Sequence, residues 1–287
     1  RQADIISDDS QHQHNQVMIL EHLFGTVFRF LKETKSESHY LEAMAVIHQY
    51  VKYINIDLVP AILDALKQKR FSLGSAITSA TTAISVCQAA HLVVDLRDFY
   101  SAVYSRCYEA LDDRDSLIKL LQLFDSITHD IDKTRTQSFA KRLMIMTLHA
   151  QPSVAIAILS FIRQMFINDP LMTSACVFDF EGEGEFNIEA DDPDFCGGPN
   201  ARYYELSELS HSYNERLNQL ANEISKLDDA NAVKEMEITY AREKRDLDWD
   251  GNVQKIIDVV EKSEVDLITQ LKPDQQILLK SYKVFEF

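Results

Sequence analysis

Residues 152–168 read PSVAIAILSFIRQMFIN, and the fold turns on how this stretch is read. Val154, Ile158, Ile162 and Met165 fall at three- and four-residue steps, the period of an α-helix. Ala155, Leu159 and Phe166 make a second apolar row beside the first. A helix apolar over so wide an arc has to be covered on two sides, so it expects helical neighbours.

The chain upstream supplies them. Leu117, Leu120, Leu121, Phe124 and Ile127 keep register after Asp112 and Asp113, whose carboxylates suit a helix start. Phe139, Leu143 and Met146 mark the helix between that one and the break at Gln151 and Pro152. Further back, Val17, Leu20, Phe24, Val27 or Phe28, and Leu31 predict a first helix over 13–34. Ser38 is placed to cap a second, with Leu41, Met44, His48 and Val51 inward. Pro60 fits the first turn of a third, which ends near Lys69. Ile77, Ala80, Ile84 and Cys87 line a fourth that follows Gly74, and Asp95 is placed to cap a fifth carrying Phe99, Val103 and Tyr104.

Only 7 Gly and 6 Pro interrupt 287 residues, which suits long helices with short joints. The expected class is all-α: an α-solenoid of stacked helical hairpins, HEAT- or armadillo-like, over residues 1–169, although no repeat of fixed period stands out. Residues 170–200 break the pattern. Asp179, Glu181, Glu183, Glu185, Glu189, Asp191, Asp192 and Asp194 crowd around Gly182, Gly184, Gly197 and Gly198, which reads as one long acidic loop. Leu206, Leu209, Tyr213, Leu217, Leu220, Ile224 and Leu227 then form a narrow seam, expected on one long closing helix over 201–227. Residues 228–287 read as a charged linker, a last amphipathic helix and a hydrophobic end.

Charge narrows the partners. With 45 Asp and Glu against 29 Lys and Arg, the formal charge is −16. A surface of that sign does not hold phosphates, so direct nucleic-acid binding by this segment is not expected and basic proteins are. Cys87, Cys107, Cys176 and Cys196 stand far apart, with no zinc spacing, and read as free thiols of a reducing compartment. No apolar run approaches the roughly 20 residues that span a bilayer, so a soluble chain with no membrane partner is expected. The sequence begins with Arg1 rather than Met and is read as a piece of something longer. The acidic loop invites a calcium reading, but the EF-hand spacing is not met, and no catalytic motif is present. The histidines His12, His14, His22, His39, His48, His129 and His149 are read as structural. Neither catalysis, cofactor nor metal is expected.

Phe139-Ala140-Lys141-Arg142-Leu143, then Leu148-His149, Pro152 and the apolar helix to Asp169-Pro170 resemble the CCAAT-binding-factor domain shared by nucleolar complex proteins. Phe186-Asn187-Ile188-Glu189-Ala190-Asp191-Asp192-Pro193-Asp194-Phe195-Cys196 is similar to the acidic signature of that family. Tyr204-Glu205-Leu206, Leu209 and Tyr213 continue the likeness, with Tyr204 where relatives carry Trp, and Ser212, Asn214 and Glu215 at their His and Pro positions. Ile54 to Leu58 and Asp98-Phe99-Tyr100 match more loosely. The resemblance implies a nucleolar scaffold of large-ribosomal-subunit maturation and export. It also implies a heterodimer with a second nucleolar complex protein, contact with pre-60S particles and basic assembly factors, and a second role in DNA replication at chromatin. The partner-binding residues it favours are Asp191, Asp192, Pro193, Asp194, Phe195, Tyr204, Leu206, Leu209 and Tyr213. Lys141 and Arg142 are expected to lock the acidic loop onto the stack. Two other classes stay open: a transport or coat adaptor using the same solenoid, and an enzyme with a metal site in the loop.

Overall fold

The computed structural model describes residues 2–67, 71–128, 133–168 and 184–226. Every regular element among them is helical, so the class is all-α. The chain divides into two compact units, one of residues 1–110 with Ala190–Pro193, the other of Leu111–Glu189 with the residues from Asp194 onward. The expectations for residues 170–183, for Lys69, Cys176 and His129, and for everything from Leu227 to the last residue lie outside the described residues.

The first unit holds α1 (Gln2–Glu33), α2 (Glu37–Gln49), α3 (Val59–Lys67), α4 (Leu73–Ala89) and α5 (Arg97–Tyr104), with 3-10 turns at Val51–Tyr53 and Ile56–Leu58. α4 is its axis, packed against α2, α3 and α5. Its sequence explains the position: Ser75, Ala76, Ser79, Ala80 and Ala83 are all buried and all small, so neighbouring backbones come close. Its start is secured twice, because the Ser72 hydroxyl accepts from Ser75 N while the Ser75 hydroxyl accepts from Ser72 N. Tyr40 ties α2 into the same core, donating to the Leu66 carbonyl at 3.1 Å, with its hydroxyl 3.0 Å from that of Ser79.

Three expectations in this unit are corrected. α1 begins eleven residues before the expected position 13, across a polar run that has no apolar period to read. α2 starts at Glu37, ahead of Ser38, and buries Tyr40, Ala43, Met44 and Ile47. His48 is exposed because the true inward face is rotated by about one residue, to where the Tyr40 ring can reach α4. Asp95 accepts from Arg97 N at 3.1 Å, but the cap position of α5 belongs to Leu96.

The second unit holds α6 (Arg114–Thr128), α7 (Lys133–His149), α8 (Pro152–Asn168), a 3-10 turn at Gly198–Asn200, α9 (Glu205–Leu209) and α10 (Glu215–Ile224). α7 packs on α6, α8, α9 and the 198–200 turn; α8 packs on α6, α7 and α10. The wide apolar arc of α8 is thus covered on several sides. Ala155, Ile158, Leu159, Ile162, Met165 and Phe166 are buried there, each large apolar side chain stabilising by about 1.5–3 kcal/mol. Phe124 of α6 meets Phe139 of α7 edge-on at 4.4 Å and Phe161 of α8 at 6.4 Å, joining three helices at one point.

The single closing helix expected over 201–227 is two helices. The chain leaves α9 after Leu209, and Asn214 restarts it by accepting from Arg216 N and Leu217 N. Leu206, Leu209, Leu217, Leu220 and Ile224 are buried as the seam implied, but Tyr213 falls in the break and is 91% exposed.

Candidate functional site

α7 reads KTRTQSFAKRLMIMTLH, and its buried residues run right round the helix. Among them are three cations, Arg135, Lys141 and Arg142. A buried cation is tolerated only with counter-groups in place, and here each counter-group comes from residues 188–205. Arg135 holds Asp194 in a two-pronged contact, Nε to Oδ1 at 2.6 Å and Nη2 to Oδ2 at 2.9 Å. Lys141 Nζ donates to both Glu205 carboxylate oxygens, at 2.5 and 2.7 Å, and to the Arg202 carbonyl at 2.6 Å. Arg142 Nη2 donates to the Ile188 carbonyl at 3.1 Å. Ile188, Asp194 and residues 202–205 are therefore part of the packed structure of this unit.

The loop's own backbone prepares it for this. Asn187 N donates to the Cys196 carbonyl at 2.8 Å, closing the signature on itself, and the Asn187 side chain accepts from Glu189 N. Gly197 turns the chain with φ at +74°, where a side chain would be strained. Gly198 then passes so close to α7 that an added Cβ would lie 2.6 Å from the Ser138 hydroxyl and closer still to the Thr134 carbonyl. Beyond the turn Ala201, Arg202 and Tyr203 are buried, and the Tyr203 ring stacks on Phe166 of α8 at 5.5 Å. Cys196 is a buried free thiol, as are Cys87 and Cys107. In the first unit, Arg97 Nε and Nη2 bind Asp192 Oδ2 at 2.9 and 2.5 Å.

The sequence-derived site residues are thus divided. Asp192 and Asp194 spend their charge on Arg97 and Arg135, and Pro193 is buried. Leu206 and Leu209 are buried core residues of α9, which packs on α7 and α10. Asp191 is exposed; Phe195 is 68% and Tyr204 64% exposed. Of the expected lock residues, Lys141 bonds Glu205 and Arg142 Nη2 bonds the Ile188 carbonyl. Lys141 Nζ also lies 5.7 Å from the centre of the Tyr204 ring.

Sequence reasoning passed over Arg97, Arg135, Arg202 and Tyr203, and named Gly198 only as a loop glycine and Glu205 only within the family likeness. It also passed over Arg163, fully buried in α8 and bound to Glu223 of α10 at 3.0 Å. Arg163 carried a legible signal, as the one charge in an otherwise uncharged apolar helix. Among the described residues, no three of His, Cys, Asp or Glu gather at metal-binding range, and no helix is long and apolar enough to cross a membrane.

Comparison with known proteins places these features in a family. Residues 76–221, just over half of the 287 and reaching from α4 to α10, match the CBF/Mak21 family. Nucleolar complex protein 3 homolog of Xenopus laevis is 25% identical over 215 residues, 71% of this chain and 27% of that protein. Nucleolar complex protein 3 of Drosophila melanogaster is 22% identical over 236 residues, 76% of the chain and 28% of the relative. The Homo sapiens homolog is 23% identical over 211 residues, 69% and 26%. The chain spans about a quarter of the length of these curated relatives. The latched acidic loop, α7 and α8 all fall inside the matched region, and the chain belongs to the CBF/Mak21 family.

Proposed function

We propose that this chain is a non-catalytic, protein-binding scaffold of nucleolar large-ribosomal-subunit biogenesis, acting in pre-60S maturation and export and pairing with a second nucleolar complex protein. The family and the relatives' names support a nucleolar setting and a part in ribosome biogenesis. In this reading the helical hairpins stack as a solenoid of HEAT or armadillo type, a form suited to offering long ridged surfaces to partners.

One observation carries the reading furthest. The acidic family signature is held on the helical core by buried cations, yet it leaves Asp191, Phe195 and Tyr204 at the surface. A rigid support under exposed aromatic and acidic groups suits recognition, because little ordering is left to be done when a partner arrives. The acidic balance favours basic partners such as ribosomal and assembly proteins.

The test is affinity purification of the intact protein from nuclear extract, with and without ribonuclease, followed by mass spectrometry. Recovery of a second nucleolar complex protein that survives ribonuclease, together with large-subunit precursors that do not, is the expected result. Recovery of transport factors or coat subunits with no ribosomal precursor would overturn it.

A further inference from the structure

The second unit carries a cleft of about 460 Å³ bounded by α7, residues 184–188 and the start of α9. Its floor is the Lys141–Glu205 pair. Those two charges neutralise each other, both side chains are less than a tenth exposed, and the Lys141 ammonium is already bonded three times. The floor thus fixes the shape of the cleft and leaves the choice of ligand to its wall and mouth. The wall is mixed: Ile145, Phe186 and Ile188 stand on it beside Asn200 and Arg202. Ile188, 48% exposed, and Tyr204, 64% exposed, keep large apolar surfaces in water.

Among the described residues, exposed carboxylates stand in and beside the cleft. Glu185 lines the cleft and is exposed. Glu208 is exposed one turn on from Tyr204, at the spacing that puts both on one side of α9. The other cation of the lining, Arg202, is buried and donates to the Ala201 carbonyl at 2.9 Å. A visitor therefore meets carboxylates and a tyrosine outside and, within, three apolar side chains set among polar ones.

We propose that this cleft docks a short basic segment of a partner protein. An apolar side chain of that segment lies against Ile145, Phe186 and Ile188, and flanking Lys or Arg side chains meet Glu185 and Glu208 beside the exposed Tyr204. The inference rests on the scaffold reading and names a docking site for it. Opposite charge at the rim steers a basic segment in and repels acidic peptides, nucleic acid and a second copy of this acidic chain.

The experiment is photo-crosslinking of the intact protein in nuclear extract from a benzoylphenylalanine probe placed at position 204 or, as control, at Tyr53, which is similarly exposed at 65% in the first unit. The crosslinked peptide is then sequenced. The position-204 probe is expected to capture one protein segment with Lys or Arg on either side of an apolar residue, and the control probe is expected not to. Combining Glu185→Lys with Glu208→Lys should lower that yield by at least about tenfold, with the Gln pair intermediate, as repulsion replaces attraction at the rim. Crosslinks to RNA, to this chain itself or to an acidic or uncharged segment would overturn the proposal, as would a yield that ignores both pairs of substitutions. Failure of the scaffold reading shows separately, as a purification without the second nucleolar complex protein. A purification that recovers that protein while the probe finds no basic segment defeats the docking site alone.

Discussion

A methyl group at Gly198 would press on the Thr134 carbonyl and on Ser138 at the start of α7, both of them backbone-anchored. Gly198→Ala is expected to destabilise the protein by about 1–3 kcal/mol in urea denaturation, the usual range for overpacking at a tight contact. Gly25→Ala is its counterpart: nothing lies within 4 Å of the added carbon, so a helical gain of about 0.5–1 kcal/mol is expected. The buried cations respond by a different rule. Lys141→Ala strands Glu205 and should cost about 3–5 kcal/mol, whereas Lys141→Met with Glu205→Leu should recover most of it, because the pair's value lies in mutual compensation. Tyr40 supplies a pH signature. Burial pushes its hydroxyl above the ordinary tyrosine value of 10.0, with the Ser79 hydrogen bond acting the other way. The unfolded chain ionises first, so Tyr40's contribution is intact below that value and is lost as pH rises above it. Tyr40→Phe is expected to cost about 1 kcal/mol near neutrality and to show a shallower alkaline fall in urea midpoint than the wild type. Of these residues only Lys141 was legible in sequence as more than core; Gly198 and Tyr40 act through partners 60 and 39 positions away, beyond any local spacing.

Among the helices, legibility followed apolar period. α6 and α8 sit where Leu117 to Ile127 and Val154 to Phe166 place them, because one strong face decides a helix locally. α1 extends into a polar run that carries no such face. The break between α9 and α10 was hidden by spacing: Leu209, Tyr213 and Leu217 keep four-residue steps across a stretch that is not helical. Asn214 followed by Glu215 was the readable start signal, and it outranks a seam whose middle member faces water. Start signals have measurable weight elsewhere too. Asp113 accepts from Asp115 N and Ser116 N at the head of α6. The Ser116 hydroxyl, and then these backbone donors, hold its carboxyl below the ordinary value. Asp113→Ala is expected to cost about 1 kcal/mol, and since a lowered carboxyl stabilises only while ionised, the difference from wild type should close as pH falls through the acid range. Thermal melts at neutral and acid pH check it.

For the whole molecule, the net charge of −16 is what favours basic partners in the proposed reading, and the internal use of that charge was not visible in the total. Asp192, Asp194, Glu205 and Glu223 are all tied to arginine or lysine, so the acidity offered to a partner is carried by others, Glu185, Asp191 and Glu208 among them. The acidic segment reads in sequence as a loop because its glycines and carboxylates are what a solvated loop would have; the order of its Asp194 and Glu205 comes from Arg135 and Lys141 of α7, which composition cannot pair with them. Hydrogen exchange of the intact protein tests that order most directly, followed by mass spectrometry over peptides covering residues 184–206. The account predicts slow exchange for the amides of Asn187, Asn200 and Ala201, approaching that of α7, with protection lost across the segment in Asp194→Asn. Exchange at the rate of an open chain in the wild type would contradict it.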